Sequence, residues 1–133
     1  MSNRQSAFEG IKVLDLSTRL SGAWAARLFG DFGAEVLLPE TADGHFARNC
    51  SPFFDVGGEK RSLLHEYINW NKTSTRACEE HIAALISTAD IVVTTQPSEL
   101  IKHLASHSIH LSITPHGLSG PWSAIDGNDL THS

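Results

Sequence analysis

The stretch GIKVLDLSTRLSGAWAARLFGDFGAEVLLP, residues 10–39, decides the fold of this chain. Its apolar run over residues 11–16 has the length and composition of a β-strand and ends in a polar turn. The next segment has the four-residue spacing of an amphipathic helix, carried by Trp24, Leu28 and Phe32. Gly33 stands where a left-handed helix terminator belongs, and strand composition then returns. We therefore predict a β-α-β unit with parallel strands.

The pattern of helix followed by strand repeats toward the end of the chain. Cys78, Ile82 and Ile86 share one helical face before an apolar strand at residues 90–94. Ser98 is placed to cap a third helix, and a fourth strand follows at residues 109–113. These elements predict an α/β fold, a Rossmann-like open and mostly parallel sheet with helices on both faces. We expect one domain over residues 1–133.

Residues 41–71 show no sustained period and are interrupted by glycine and proline. An irregular stretch of this length is uncommon inside a compact domain unless it is functional or covers another surface. Both alternatives stay open. We expect poor order between about residues 41 and 66, and we also expect exposed apolar area.

The composition narrows the range of functions. The net charge of −5 leaves no broad cationic surface for nucleic acid. Cys50 and Cys78 have no metal-binding or redox spacing, which suggests free thiols and a cytoplasmic location. No apolar run is long enough for a membrane span or a signal peptide. The histidines of the last third lack the acidic or cysteine partners of a metal site, so we predict none.

The loop after the first strand, residues 17–22, is not a G-x-G-x-x-G turn, so a dinucleotide cofactor is disfavoured. It does combine backbone donors at a helix start with one cation, Arg19. A phosphate-bearing ligand and an ordinary loop with a solvated arginine both remain compatible with this pattern.

Several blocks in register resemble one family, the class III CoA-transferases, which includes formyl-CoA transferase, carnitine CoA-transferase and α-methylacyl-CoA racemase. The opening FEGIKVLDLS at residues 8–17 is similar to the start of that family. The segments NWNKTS at residues 69–74 and ADIVV at residues 89–93 follow in the same order. The loop ITPHGLSGP at residues 113–121 then precedes Gly127-Asn128-Asp129, where the family often has G-Y-D. The chain thus resembles the amino-terminal portion of these enzymes.

The resemblance implies coenzyme A or an acyl-CoA as substrate, a carboxylic acid as its partner and no covalently bound cofactor. It also implies a dimer of interlocked rings, although a chain of this length leaves the oligomeric state open between a monomer and a homodimer. The CoA contacts that it implies come from the first loop, the N-K segment, the third strand end and a later basic residue. They are Arg19, Leu20, Asn71, Lys72, Thr94, Thr95 and Lys102.

Departures from the family pattern leave two functional hypotheses. Thr73, Gln96 and Pro115 replace residues usual in the family, and Asn128 lacks the titratable group that racemization needs. In the transferases, an aspartate attacks the acyl-CoA and passes the acyl group through an anhydride, and we expect that aspartate to lie outside this chain. The first hypothesis is therefore the CoA-binding domain of an acyl-CoA transferase, inactive by itself. The alternative is a non-catalytic interaction or regulatory module that retains the fold.

Overall fold

The first strand, helix and second strand form the predicted β-α-β unit in a computed structural model that describes residues 6–127. They are β1 (Lys12–Asp15), α1 (Leu20–Asp31) and β2 (Glu35–Glu40). β1 and β2 pair in parallel, with Val13 opposite Val36. Gly33 ends the helix region with a φ of 98°, a left-handed conformation that favours glycine. The prediction for residues 10–39 is confirmed.

The remaining strands complete a parallel sheet with a small hairpin beside it. The further elements are β3 (Phe53–Val56), β4 (Glu59–Ser62), α2 (Leu63–Asn69), β5 (Thr73–Arg76), α3 (Glu79–Thr88), β6 (Ile91–Thr94) and β7 (Ile109–Ser112), with short 3-10 helices at Phe46–Asn49 and Glu99–His103. The five-stranded sheet has the order β5-β2-β1-β6-β7, and every pairing in it is parallel. β3 and β4 pair antiparallel in a separate hairpin. The predicted α/β Rossmann-like class is confirmed.

The core lies on both faces of the sheet because successive strand residues point to opposite sides. Val13 and Val93 pack with Ala26 of α1 on one face. On the other face, Leu14 packs with Ile86 of α3. This arrangement leaves the carboxyl ends of the strands, and the loops that follow them, at one common edge.

Residues 41–71 contain regular elements that the sequence pattern did not reveal. Gly57 and Gly58 form the turn between β3 and β4 with positive φ angles of 64° and 87°, as a two-residue hairpin turn requires. The Oγ atom of Ser62 accepts a hydrogen bond from the backbone N–H of His65 at 3.2 Å and so caps α2. The segment therefore contains a hairpin followed by a helix, and the prediction that residues 41–71 are irregular is wrong.

The helix α1 packs with a different face from the one that its large apolar residues suggest. Its buried residues are Gly22, Ala23 and Ala26. Trp24 and Phe32 remain 41% and 57% exposed. Small residues let the helix backbone approach the sheet closely, and the aromatic face is left outside. The prediction of exposed apolar area is confirmed.

The predicted third helix is shorter than expected. Ser98 does cap it, because its Oγ atom accepts from the backbone N–H of Leu100 at 3.3 Å. The element is a five-residue 3-10 helix that ends at His103. Among residues 6–127, no helix is long and apolar enough to span a bilayer.

Candidate functional site

The carboxyl edge of the sheet has a switch point between β1 and β6. From β1 the chain builds outward through β2 and β5 on one side, and β6 and β7 extend the sheet on the other. Loops that diverge at such a point leave a crevice where ligands of open α/β sheets commonly bind. Here the backbone N–H of Thr18 donates to Oγ1 of Thr95 at 2.9 Å, and the two hydroxyl oxygens lie 3.1 Å apart. These bonds tie the loops after β1 and β6 together.

A large open cleft, which we call the α1–α2 cleft, lies beside this point. Its volume is about 890 Å³, and its walls come from the start of α1, from α2 and from the loop after β7. Most of the lining is apolar or aromatic, with Trp24 and Tyr67 stacked at a ring-centroid distance of 5.9 Å. Arg19 is the one charged side chain among the described residues that line the cleft. Its Nη2 atom pairs with Oδ1 of Asp126 at 2.5 Å.

The guanidinium of Arg27 stiffens one wall of the α1–α2 cleft from behind. Its central carbon lies 5.1 Å from the ring centroid of Trp24 and 4.1 Å from that of Tyr67. Its Nη1 atom also donates to the carbonyl oxygen of Tyr67 at 2.7 Å. Cation–π contacts of this kind hold the two rings in one orientation. Arg27 therefore joins Trp24 on α1 to Tyr67 on α2 within one wall of the cleft.

A second cavity of about 420 Å³ lies against the ends of β1, β2 and β6. Its charged lining residues within the described part of the chain are Asp15, Glu40 and Asp43. Glu40 accepts two bonds from Arg48, from Nε at 2.6 Å and from Nη2 at 2.7 Å, and a short bond from the Ser74 hydroxyl. The Arg48 guanidinium holds the pKa of Glu40 at about 2, well below its usual value of 4.5, against the opposing effect of burial. Glu40 is thus ionised and neutralised by its partner.

His45 lines this second cavity, and the imidazole of His65 lies next to it. The rings of His45 and His65 lie 5.7 Å apart, and the Nδ1 atom of His45 is 3.3 Å from Nδ2 of Asn69. Burial lowers the pKa of His45 to about 4 and lowers the pKa of His65 as well. Both rings are therefore neutral at pH 7 and add no positive charge to this side of the edge.

The Lys72 ammonium is enclosed beneath α1. Its Nζ atom lies 2.7 Å from Oδ2 of Asp15 and donates to the carbonyl oxygen of Ala23 at 2.8 Å, and neither charged side chain has exposed surface. Burial lowers the pKa of Lys72, and the Asp15 carboxylate acts in the opposite direction. The other carboxylate oxygen of Asp15 accepts from the backbone N–H of Ser17 at 2.9 Å. This pair joins the end of β1 to the first turns of α1.

The residues predicted to contact CoA are divided between these places. Arg19 and Leu20 line the α1–α2 cleft, and Thr95 lies directly behind its rim through the bonds to Thr18. Thr94 is buried, with its Oγ1 atom 2.8 Å from Nε2 of His110, and it lines the second cavity.

Asn71 and Lys102 lie apart from the two clefts. The side-chain amide of Asn71 donates to the carbonyl oxygen of Arg27 at 3.1 Å and to Asp31 at 2.8 Å, so it holds α1. Lys102 is exposed on the 3-10 helix after β6. The contacts with CoA stay predictions for all seven residues.

Some site residues were missed by reasoning from sequence. Tyr67 and Phe46 fell in the segment without a period, and Trp24 was taken for the buried face of its helix. The signal that was available is the small-residue spacing of Gly22 and Ala26, which marks the true packing face of α1. Asp129 and its neighbour Asn128 lie outside the described residues.

Comparison with known proteins places this geometry in a family. The model of CoA-transferase family III matches residues 8–132. The chain belongs to CoA-transferase family III. The human protein named succinyl-CoA:glutarate CoA-transferase is 33% identical over 148 residues, which cover 98% of this chain and 33% of that protein. An Agrobacterium fabrum protein named succinate–glutarate CoA-transferase is 26% identical over 149 residues, 97% of this chain and 37% of its own length.

A solved structure agrees with the family assignment. A CAIB/BAIF family protein from Brucella suis superposes with a TM-score of 0.84 at 28% identity, over 96% of this chain and 38% of that one. The chain therefore spans about a third of the length of the curated relatives that it matches. The family resemblance is confirmed, including its restriction to one portion of the family architecture.

Between residues 6 and 127, no group of three or more His, Cys, Asp or Glu side chains is arranged to hold a metal ion. Cys50 is half-buried and Cys78 is exposed, and both are free thiols.

Proposed function

We propose that this chain is the CoA-binding portion of an acyl-CoA transferase. The observation that supports it most directly is the position of the α1–α2 cleft, at the carboxyl edge of a family III sheet, next to the switch point and with Arg19 at its rim. In this proposal an acyl-CoA and a carboxylic acid are the substrates, and no covalently bound cofactor takes part.

The chemical route is part of the same proposal. An aspartate would attack the thioester carbonyl of the acyl-CoA, which releases the CoA thiolate and forms a mixed anhydride. The thiolate would then attack the aspartyl carbonyl, which releases the donor acid and leaves an aspartyl-CoA thioester, and the same two steps in reverse would pass CoA to the second acid. We propose that this aspartate is supplied by a portion of the family architecture that the chain does not match. The coverage of about a third of each relative supports this division. A cytoplasmic location and a homodimer remain proposals of the same kind, and the free thiols support the first.

Titration with CoA tests the proposal on the chain itself. We expect CoA to shift the amide resonances of Thr18, Leu20 and Thr95 in heteronuclear NMR spectra, with weak affinity. Dephospho-CoA and pantetheine, as truncated probes, show which end of CoA contributes. Absence of any shift at millimolar CoA would contradict the proposal.

One substitution examines a cation that is accessible for a phosphate. Lys102→Met removes one exposed charge, and we expect it to weaken CoA binding by roughly threefold to tenfold. Arg76→Met is the matched control, because Arg76 is also exposed but lies on β5 at the sheet edge. Equal affinities in the two variants would remove Lys102 from the CoA site.

A non-catalytic interaction module is the second candidate. The specific observation in its favour is the enclosure of Lys72, whose ammonium bonds to Asp15 and Ala23 rather than facing either cleft. Failure of CoA to bind, together with an intact fold, would favour this alternative.

A further inference from the structure

The α1–α2 cleft is charged at one end and mostly apolar elsewhere, and this difference affects which acid it accepts. One end carries the Arg19 guanidinium, and among the described residues no other charged side chain lines the cleft. The walls beyond Arg19 are formed by side chains such as Trp24, Leu64, Tyr67 and Ile113. A ligand that fills this space has one anionic end and an uncharged, apolar body.

The contact between Arg19 and Asp126 shows that this guanidinium is placed to hold a carboxylate. The Nη2 to Oδ1 distance is 2.5 Å, and the Asp126 side chain is 90% exposed while that of Arg19 is 41% exposed. Exposed ion pairs of this kind contribute about 0 to 1 kcal/mol, so a substrate carboxylate can replace Asp126 at little cost. Asp126 thus presents to Arg19 a carboxylate, which is the same group that we expect a ligand to present there.

The apolar walls of the cleft favour acids with an apolar body over dicarboxylates. Leu20, Trp24 and Tyr67 are 48%, 41% and 56% exposed, so a ligand can cover a substantial apolar area by contacting them. The volume of about 890 Å³ accommodates an aromatic or branched body. A dicarboxylate would place its second charge against these walls, where the described lining offers no cation, and burying an unpaired charge is costly.

We infer that the α1–α2 cleft selects a monocarboxylic acid with a bulky apolar body, aromatic or branched, whose carboxylate is held by Arg19. This inference rests on the proposed function, because the bound acid would be the partner to which CoA is transferred. It assigns Arg19 to the reacting end of the acid and the stacked pair of Trp24 and Tyr67 to its body. Short dicarboxylates, such as the glutarate in the names of two relatives, are disfavoured for this chain.

Three probes separate the charge from the apolar body. They are 3-phenylpropanoate, the uncharged 3-phenylpropan-1-ol and succinate, each titrated without CoA and followed through the amides of Leu20, Leu64 and Ile113. We expect 3-phenylpropanoate to shift these amides, and succinate to bind at least about tenfold more weakly because its second charge is unpaired. Succinate binding as tightly as the aromatic acid at the same amides would overturn the inference, and so would an absence of binding by every probe.

Variants of the two ends supply the matched controls. Arg19→Met should weaken 3-phenylpropanoate about threefold to fivefold, the loss expected for one partly exposed ion pair, and should leave 3-phenylpropan-1-ol unchanged. Tyr67→Ser should weaken both aromatic probes, while Tyr67→Phe should retain them. Core amides of β1 and β6 report whether each variant is folded. Unchanged affinity for the aromatic acid in Arg19→Met would also overturn the inference.

The CoA titration keeps the two proposals distinguishable. If CoA binds at the loops after β1 and β6 but the acids show no preference, the proposed function stands and the selection of an apolar acid is wrong. If CoA does not bind but the aromatic acid binds through Arg19, the acid site exists and the transferase proposal fails.

Discussion

Lys72 and Asp15 form an ion pair whose side chains have no exposed surface, and the pair connects β1 with α1. Replacing Lys72 with methionine leaves the Asp15 carboxylate buried without its cation. Breaking a buried pair from one side costs about 3 to 5 kcal/mol, so we expect a loss of this size in the free energy of unfolding. Chemical denaturation of Lys72→Met checks the value.

Three further variants, Lys12→Met, Asp15→Asn and the double variant, isolate the pair from the effect of removing a lysine. Lys12→Met removes an exposed lysine at the start of β1 and should change the unfolding free energy by less than about 0.5 kcal/mol. The double variant Asp15→Asn with Lys72→Met should be less destabilised than the sum of the single variants. Additive losses would show that the two charges do not depend on each other.

Glu40 makes the free energy of unfolding depend on pH in the acidic range. Its folded-state pKa of about 2, set by Arg48, lies below the usual 4.5, so the unfolded state binds the proton more tightly. The stabilisation is therefore present above pH 4.5 and is lost as the pH falls toward 2. We expect Glu40→Gln to lose this part of the dependence, about 3 kcal/mol, in unfolding free energies measured between pH 5 and pH 2. Parallel curves for the two proteins would contradict this expectation.

The close packing of α1 on the sheet depends on Gly22. A Cβ atom at this position would lie 2.4 Å from Cγ2 of Thr95 and 2.5 Å from Cβ of Ser17. Both neighbours are buried, so Gly22→Ala should destabilise by about 1 to 3 kcal/mol despite the better helix propensity of alanine. Thermal unfolding measures the loss, and Ser21→Ala, at an exposed neighbour, is the control. An equal stability of the two variants would show that α1 can move away without cost.

Elements with an apolar core pattern could be predicted from the sequence, whereas those with polar composition could not. β1, β2 and β6 are central strands with buried valine and leucine, and their pattern sufficed. β5 reads Thr-Ser-Thr-Arg and lies at the sheet edge, where its side chains stay mostly exposed and need not be apolar. The β3–β4 hairpin carried a usable signal in Gly57-Gly58, since paired glycines between short strands favour a two-residue turn.

The candidate site was predictable only where loops follow central strands. The position of Arg19 followed from its place after β1, because strand order brings such loops to the ligand-binding edge. The roles of Asn71 and Lys72 in holding α1 could not be predicted, since they depend on which helix face lies against the sheet. That face is set by small residues, and spacing of large apolar residues indicated the opposite one.

At the scale of the whole molecule, many of the exposed apolar side chains lie on or next to the neighbouring helices α1 and α2. Leu28 on α1 is 42% exposed, and Tyr67 on α2 and Trp70 after it are 56% and 67% exposed. Apolar surface in this amount commonly marks an area that contacts another protein surface. The relatives carry about two thirds of their length beyond the matched portion.

The isolated chain should therefore self-associate through this helical surface. We expect sedimentation velocity to show a weight-average sedimentation coefficient that rises with protein concentration, because covering apolar area is favourable at about 25 cal/mol per Å². Leu28→Glu and Trp70→Ser should each reduce the rise, whereas Val56→Ser should not, since Val56 is 49% exposed but lies on the β3–β4 hairpin. A rise that is the same in all three variants would show that association uses another surface, and a constant coefficient would show that these side chains stay in contact with solvent.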